Sequence, residues 1–309
     1  MTGSPPSDPA TTRLWSTLPD GSRGALDRLG PSDLQVLLAD LLRARASRVG
    51  VVDVRRRWAT DRFVRPADSD PRRLSALEAR LWELVPADFD GVALSPVSPF
   101  GTSAALAGIG QDRVVSTTRG TEVVSDSTTT LAIEAAARRR AQPPGGRVHL
   151  AAIHPQLRAQ SMGGGSAHFR LLTLVSSARD GGSGATHAEL LLLHLRTWCD
   201  LLASTIPDLH STIEVSAWSP VVAERFTDRV RPALGERARV AVVDAPERTR
   251  AKEYYRDVAL RIEVSGPNGP VEVGDGGMTG WTAALTDNRK ELCLVSCVST
   301  ERLLALGAR

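Results

Sequence analysis

Lysine and cysteine are both scarce in this chain of 309 residues. Lys252 and Lys290 are the only lysines among its 38 basic residues, and the formal net charge is +3. An arginine bias of this kind is typical of GC-rich genomes, and so small a net charge gives no indication of a nucleic-acid-binding surface. The three cysteines are too few and too unevenly spaced for a disulfide framework, which favours a reduced, cytoplasmic setting.

Long hydrophobic runs and a signal-peptide pattern are also missing. The longest aliphatic run, Leu190–Leu193, is far too short to cross a bilayer. The N-terminal segment has no basic stretch followed by an apolar one. We therefore expect neither secretion nor binding to a membrane.

Several common motifs of catalysis are absent as well. The chain has neither of the glycine-rich phosphate loops, G-x-G-x-x-G and G-x-x-x-x-G-K-S/T, and no G-x-S-x-G nucleophile elbow. It also lacks an H-E-x-x-H zinc helix, and His187 and Glu189 have no further ligand at metal-binding spacing. The sequence therefore predicts no protein-bound metal.

What the sequence does contain is a series of amphipathic segments. Residues 1–70 are predicted to form an N-terminal extension that is disordered at its start and then helical. The leucines of Leu34–Leu42 fall on one face of a helix in this extension. Either packing against the rest of the chain or binding of a partner would cover that face.

Residues 71–309 are predicted to form a core domain. Leucine spacing predicts a helix over Pro71–Val85, and a second helix is expected to extend through Arg140, with Ser125 or Asp126 as its N-cap. Alternating apolar residues predict a long hairpin of Val148–Leu157 and Phe169–Ser176. The order of helices and strands indicates an α+β fold with an antiparallel β-sheet flanked by helices. Shorter strands are expected over Leu260–Val264, Val271–Val273 and Leu292–Val298.

Several short segments of the core, taken in order, resemble the motifs of class II aminoacyl-tRNA synthetases. The helix and strand of Arg72–Pro96 are similar to motif 1, His154–Phe169 to motif 2, and Ser299–Leu304 to motif 3. Arg250–Tyr255 resembles the histidine-specific R-G-L-D-Y-Y segment, and Gly276–Trp281 resembles G-G-R-Y-D-G-L. Within the class, the core is most similar to histidyl-tRNA synthetase and its paralogues.

This resemblance implies a core that binds ATP, with Mg²⁺ on its phosphates, and forms an aminoacyl-adenylate. The catalytic arginine positions are filled by Arg158, Arg250 and Arg302, whose guanidinium groups would position the reactants and stabilise charge. The resemblance implies ATP binding by Arg158, Gln160, Phe169 and Arg302. It implies amino-acid binding by Asp126, Thr128, Leu171, Val175, Tyr254, Tyr255, Gly276 and Gly277.

Some positions depart from the family pattern. Gln160 stands where the family has glutamate, and Leu171 and Val175 stand where it has polar residues that recognise histidine. An apolar pocket cannot hold an imidazole as a hydrogen-bonding site does, so histidine is not the expected substrate. The chain also ends shortly after motif 3, where histidyl-tRNA synthetases continue into an anticodon-binding domain, so tRNA is not the favoured acceptor.

The sequence leaves three functions open. The first is ATP-dependent activation of an amino acid, with transfer to a carrier protein, a small amine or another acceptor. The second is a non-catalytic, amino-acid-binding paralogue that resembles the regulatory subunit of ATP phosphoribosyltransferase. The third is a dimerisation module with an inactive site. Motif 1 implies a homodimer, because in class II cores its helix and strand form the subunit interface.

Overall fold

The computed structural model describes most of the chain. The described residues are 9–143, 145–160, 167–236, 238–247, 252 and 254–308. The predicted catalytic residue Arg250 and the glycine loop of residues 161–166 lie outside them.

A large β-sheet forms the centre of the core. Its strands are Asp90–Gly91 (β1), Arg147–Leu157 (β4), His168–Arg179 (β5), Ser211–Ala217 (β6), Val240–Asp244 (β7), Arg256–Gly266 (β8), Gly269–Thr279 (β9) and Glu291–Ser299 (β10). They are arranged in the order β1-β4-β5-β10-β9-β8-β6-β7. The two outermost pairs, β1 with β4 and β6 with β7, are parallel, and all other pairs are antiparallel. Two short strands, Val97–Pro99 (β2) and Thr121–Val123 (β3), pair separately.

Helices flank this sheet, which confirms the predicted α+β fold. Those of the core are Pro71–Leu84 (α5), Thr102–Ala107 (α6), Ser127–Ala141 (α7), Ala185–Thr205 (α8), Pro220–Arg225 (α9), Arg231–Leu234 (α10), Trp281–Thr286 (α11) and Thr300–Ala305 (α12). Those of the N-terminal extension are Pro9–Trp15 (α1), Ser22–Asp27 (α2), Pro31–Ala46 (α3) and Val51–Thr60 (α4). None of the helices in the described residues combines the length and apolarity needed to cross a membrane.

Local sequence explains why α5 begins and packs where it does. Asp70 accepts a hydrogen bond from the Arg72 amide at 2.9 Å, and Pro71 follows it in the first turn. Leu74, Leu77 and Leu81 recur at helical spacing and are buried. The observed helix agrees with the predicted one to within a residue.

Both faces of the central sheet are covered by helices. On one face, α8 packs with α5 and α12 over a core that includes Leu174, Trp198 and Leu294. On the other face, α7 and α11 cover a second core that includes Leu131 and Val295. Because both faces are buried, β5 and β10 are apolar along most of their length rather than alternating.

The N-terminal extension differs from the core, since none of the residues in α1 to α4 is buried. The predicted leucine face of α3 is open to solvent, and Leu41 is 51% exposed. Packing of this face on the core is therefore not observed. The extension meets the core after α4, where Arg62 donates to the backbone carbonyls of Arg158 and Ala159.

Candidate active site

A cleft of about 230 Å³ lies between the start of α7, the end of β4 and the strand β9. This is smaller than the roughly 300–1,000 Å³ of pockets that hold drug-sized ligands, and it suits a group the size of an amino acid. The cleft is lined by Ile109, Arg113, Ser125, Asp126, Thr128, Arg158, Gln160, Tyr254, Tyr255 and Asp275.

One wall of the cleft is the N-terminus of α7. The carboxylate of Asp126 caps this helix, accepting from the Thr128 amide at 2.9 Å and from the Thr128 hydroxyl at 2.6 Å. Behind it, the Ser127 amide donates to Gln156 Oε1 at 2.7 Å, and the Ser127 hydroxyl lies 2.6 Å from that of Thr173. These buried bonds tie the helix start to β4 and β5, and so they fix the position of Asp126.

Arg158 forms a second wall, immediately after β4. Its Nη2 lies 3.7 Å from Asp126 Oδ2, and its Nε donates to the Ser125 carbonyl at 3.3 Å. The guanidinium carbon lies 5.0 Å from the ring centroid of Phe169, a cation–π contact across the β4–β5 hairpin. The side chain is thus oriented from three directions, and it remains 27% exposed towards a ligand.

Two tyrosines and a carboxyl group from β9 form the floor. Tyr254 and Tyr255 meet edge to face, with ring centroids 4.8 Å apart, and Tyr254 makes a similar contact with Trp281. A Cβ atom built at Gly277 would lie 2.5 Å from the Tyr255 ring, so only glycine lets the ring lie against the strand. Beside them, Asp275 Oδ1 accepts from the thiol of Cys297 at 3.5 Å.

Burial dominates the electrostatics of this floor. Burial raises the pKa of the Asp275 carboxyl, and the negative charge of Asp126 raises it further. Burial, with Asp275 close by, also raises the pKa of the Tyr255 hydroxyl and of the Cys297 thiol. Both groups are therefore neutral at physiological pH, and a ligand in the cleft would meet neutral hydroxyl groups and carboxyl groups.

The structure brings many of the predicted site residues together. Asp126, Thr128, Arg158, Gln160, Tyr254 and Tyr255 line the same cleft. Gly276 and Gly277 are in β9 and do not line the cleft: Gly277 lies beneath the Tyr255 ring, whereas Gly276 lies against Val295 and Ser296 of β10. Phe169 lies behind Arg158.

Three other predicted residues do not line the cleft. Leu171 and Val175 are buried in β5, and Val175 is part of the core beneath α7. Arg302 is exposed on α12, and its Nη1 donates to the backbone carbonyl of Glu272 at 2.5 Å. Its neighbour Glu301 accepts from the Arg170 amide at 2.8 Å, which fastens α12 to β5.

Several of the residues that line the cleft are not predicted from the sequence. Asp275 directly precedes the glycine pair that the resemblance matched, and its carboxyl group in an otherwise small and apolar segment was a signal. Ser125 directly precedes Asp126, in the segment that the resemblance matched, whereas Arg113 and Ile109 belong to no recognisable motif and are brought to the cleft by the fold alone.

The polar side chains of the cleft are better suited to binding ATP than to holding a metal ion without a nucleotide. Among the described residues, no group of three or more His, Cys, Asp or Glu side chains could hold a metal ion. Arg158, supported by Phe169 at the mouth of the cleft, can bind a phosphate group. A magnesium ion would therefore have to be held mainly by the phosphates of the nucleotide.

Comparisons with known proteins identify the fold. No protein-family model matches the chain, and none of the curated proteins is significantly similar to it in sequence. Apo S. aureus histidyl-tRNA synthetase superimposes with a TM-score of 0.55 at 14% identity, covering 76% of this chain and 64% of the other. The chain thus spans less than two thirds of that synthetase.

Two further solved structures are similar over more of their length. An ATP phosphoribosyltransferase regulatory subunit/histidyl-tRNA synthetase from Bacillus halodurans gives a TM-score of 0.59 at 12% identity, with coverages of 78% and 81%. A histidine–tRNA ligase subunit from Alicyclobacillus acidocaldarius gives 0.55 at 13% identity, with coverages of 78% and 96%. This chain therefore has the fold of the class II aminoacyl-tRNA synthetase catalytic core, as its sequence motifs predicted.

Proposed function

We propose that this protein uses ATP to activate an amino acid as an aminoacyl-adenylate, and that it then transfers the aminoacyl group to an acceptor by a route other than conventional tRNA charging. The observation that carries the proposal is the placement of Arg158, Asp126 and Thr128 in one cleft. A permanent cation for a phosphate and a fixed carboxylate for an ammonium group then face the same small space.

The proposed reaction requires positioning more than proton transfer. A carboxylate oxygen of the amino acid would attack the α-phosphorus of ATP, and the bond from that phosphorus to the leaving pyrophosphate would break. The nucleophile is already an anion, so no general base is needed. Arg158 would bind the α-phosphate and stabilise the charge that develops on it. Mg²⁺ bound to the phosphates would offset their charge.

The amino-acid ligand would be oriented by the start of α7. Its ammonium group can pair with the carboxylate of Asp126, which the Thr128 amide and hydroxyl hold in place. This arrangement would leave the substrate carboxylate directed at Arg158, since Arg158 and Asp126 are 3.7 Å apart.

The proposal is tested by amino-acid-dependent exchange of pyrophosphate into ATP, with a panel of proteinogenic and non-proteinogenic amino acids. Arg158→Ala is expected to lower exchange by about 100-fold or more, as the loss of a donor to a developing charge does elsewhere. The matched control is Arg147→Ala, at the far, exposed end of the same strand β4. Exchange that survives in Arg158→Ala, or folded protein that exchanges with no amino acid, would contradict the proposal.

We further propose a carrier protein as the acceptor, with a small amine as the alternative. The support comes from α4, which exposes Val51 and Trp58 among arginines, and from Arg62, which follows it and bonds the backbone at the cleft mouth. A mixed apolar and cationic surface suits an acidic protein better than a nucleic acid backbone. Bulk tRNA is accordingly expected to accept no labelled amino acid.

A regulatory, non-catalytic role is the second candidate, and one specific observation favours it. Arg302, which would bind the γ-phosphate, is bonded to the Glu272 carbonyl and does not line the cleft. If Arg302 keeps its bond to the Glu272 carbonyl when ATP is present, one of the cations expected to bind the triphosphate is missing. This candidate predicts that the protein binds an amino acid without ATP turnover and forms a stable complex with a partner enzyme.

A homodimer through the motif 1 region is also proposed. The support is that α5 carries Trp82, 38% exposed, beside the exposed edge strand β1. An exposed edge strand with a large apolar neighbour is a common feature of subunit interfaces. Sedimentation analysis should give a dimer, and Trp82→Glu should shift it towards monomer.

A further inference from the structure

The floor of the cleft carries a carboxyl group that the protein itself leaves almost unused. The carboxyl group of Asp275 has only the Cys297 thiol as a hydrogen-bond partner among the described residues, at 3.5 Å, and a thiol is a weak donor. Tyr254 and Tyr255 line the cleft beside it, and Tyr255 is only 6% exposed. A partly buried carboxyl group with so weak a partner costs stability unless a ligand satisfies it.

The other carboxylate of the cleft is in a different situation. Asp126 accepts two hydrogen bonds from Thr128 and lies beside the cation of Arg158. Its charge is therefore compensated by direct contacts, whereas Asp275 makes no ion pair with a described residue and interacts with the Arg158 cation only at longer range. The two carboxyl groups line the same cleft closely enough that Asp126 raises the pKa of Asp275.

The chemistry of the missing partner follows from these groups. Asp275, Tyr254 and Tyr255 all line this cleft, and each carries a side-chain oxygen that can accept a hydrogen bond. An ammonium group carries three donors and a positive charge, so it can satisfy several oxygens at once and compensate the carboxylate. A neutral apolar side chain would instead bury the Asp275 carboxyl without compensation.

We propose that the amino acid bound here has an aliphatic side chain ending in an ammonium group, and that Asp275 selects it by pairing with that group. This inference rests on the proposed function, because it assigns the α-ammonium group to Asp126 and the side-chain ammonium to Asp275. It names lysine, ornithine and shorter diamino acids as the substrate class.

The test is calorimetric binding to the full chain without ATP, comparing lysine with norleucine and ornithine with norvaline. Each pair has nearly the same shape and differs in the side-chain charge. We expect the ammonium ligands to bind at least about tenfold more tightly. Asp275→Asn, which keeps the shape of the side chain, is expected to remove this preference and to leave norleucine and norvaline binding unchanged or improved.

Asp126→Asn serves as the internal comparison, because asparagine also caps helices and the fold is kept. This variant is expected to weaken charged and neutral ligands by the same factor, since all of them carry the α-ammonium group. In the native chain, affinity for lysine should fall more than affinity for norleucine as the pH is lowered through the raised pKa of Asp275, because protonation removes the charge that pairs with the side-chain ammonium group.

Equal binding of lysine and norleucine, or a preference that survives in Asp275→Asn, would overturn the inference. Neutral amino acids that support pyrophosphate exchange would overturn it too, while leaving the proposed function intact. Absence of binding and of exchange with every amino acid in the panel would overturn both.

Discussion

Two neighbouring residues of β10, Ser296 and Cys297, face opposite sides of the sheet. Ser296 belongs to a cluster whose polar groups are hydrogen-bonded, whereas Cys297 contacts a carboxyl group with few partners. The hydroxyl of Ser296 accepts from the Trp198 indole at 2.8 Å and lies 2.7 Å from His194 Nδ1. The other nitrogen of His194 lies 2.8 Å from the Ser176 hydroxyl, so the histidine cluster is completely bonded. Cys297, the next residue, meets Asp275 in the cleft, where the carboxyl group has no other partner among the described residues.

The difference separates polar groups that stabilise the fold from those that await a ligand. A buried group that is fully bonded contributes to a unique, rigid core. A buried polar group left without hydrogen-bond partners lowers the stability of the fold. Such a group is retained where a ligand supplies the missing bonds. By this criterion, the His194 cluster beneath α8 is structural, and we expect the Asp275 side of β9 and β10 to bind a ligand.

The largest expected effect concerns another fully paired group, the buried ion pair of Arg139 and Glu291. Both side chains are almost inaccessible, and Nε and Nη2 of Arg139 each donate to the carboxylate at 2.9 Å. Glu291→Ala should lower the free energy of unfolding by about 3–5 kcal/mol, because it leaves a buried guanidinium unpaired. Urea denaturation measures this change.

The matched control is the exposed pair of Arg147 and Glu189, whose side chains are about half exposed. Glu189→Ala should cost less than about 1 kcal/mol, because solvent screens the pair. A similar loss in both variants would show that burial does not distinguish these pairs.

The next effect is a loss of stability in acid that arises from His194. Complete burial lowers its pKa from 6.5 to about 3, so the folded protein keeps the imidazole neutral where the unfolded chain binds a proton. Stability is therefore fully present above pH 6.5 and declines below it by about 1.4 kcal/mol per pH unit. Denaturation at pH 7.5 and pH 5 should differ by about 2 kcal/mol from this residue alone. In His194→Gln the difference should shrink by that amount.

The smallest effect is expected for Asp275, whose replacement should raise the free energy of unfolding instead of lowering it. Burial raises the pKa of Asp275, so its ionised form destabilises the folded protein at neutral pH, and stability increases as the pH falls through that pKa. Asp275→Asn should therefore raise the free energy of unfolding at pH 7.5, by no more than about 2 kcal/mol, while it impairs binding. A clear loss of stability in this variant would show that Asp275 stabilises the fold. The proposed difference between Asp275 and the fully bonded His194 cluster would then be wrong.

Much of the fold was predictable from local patterns. The leucines of α5 and the cap of α7 gave both helices almost to the residue, because helical spacing and capping are encoded locally. The strand β9 was predicted only over Val271–Val273, although it spans Gly269–Thr279. Its glycines give no strand signal, and pairing with β8 and β10 imposes the conformation.

The residues of the site were predictable where they lie in segments that match a known motif, and not elsewhere. Asp126, Thr128 and Arg158 were predicted from the family resemblance and line the same cleft. Leu171 and Val175 were assigned from the resemblance, because they follow Phe169 at the spacing of the family's amino-acid-binding residues, but a position on a strand does not show how far the covering helix reaches. Asp275 acquires its environment from Cys297 on the next strand and from a tyrosine pair, which are contacts that no local pattern reveals.

The central claim is that the cleft forms an aminoacyl-adenylate. Its most direct test is the affinity of the cleft for a sulfamoyl analogue of that adenylate, made with the amino acid that binds most tightly. If one cleft holds both the amino acid and the α-phosphate, this analogue should bind at least about 100-fold more tightly than the free amino acid. Arg158→Ala should remove most of that gain. An analogue that binds no better than the amino acid alone would contradict adenylate formation and favour the regulatory role.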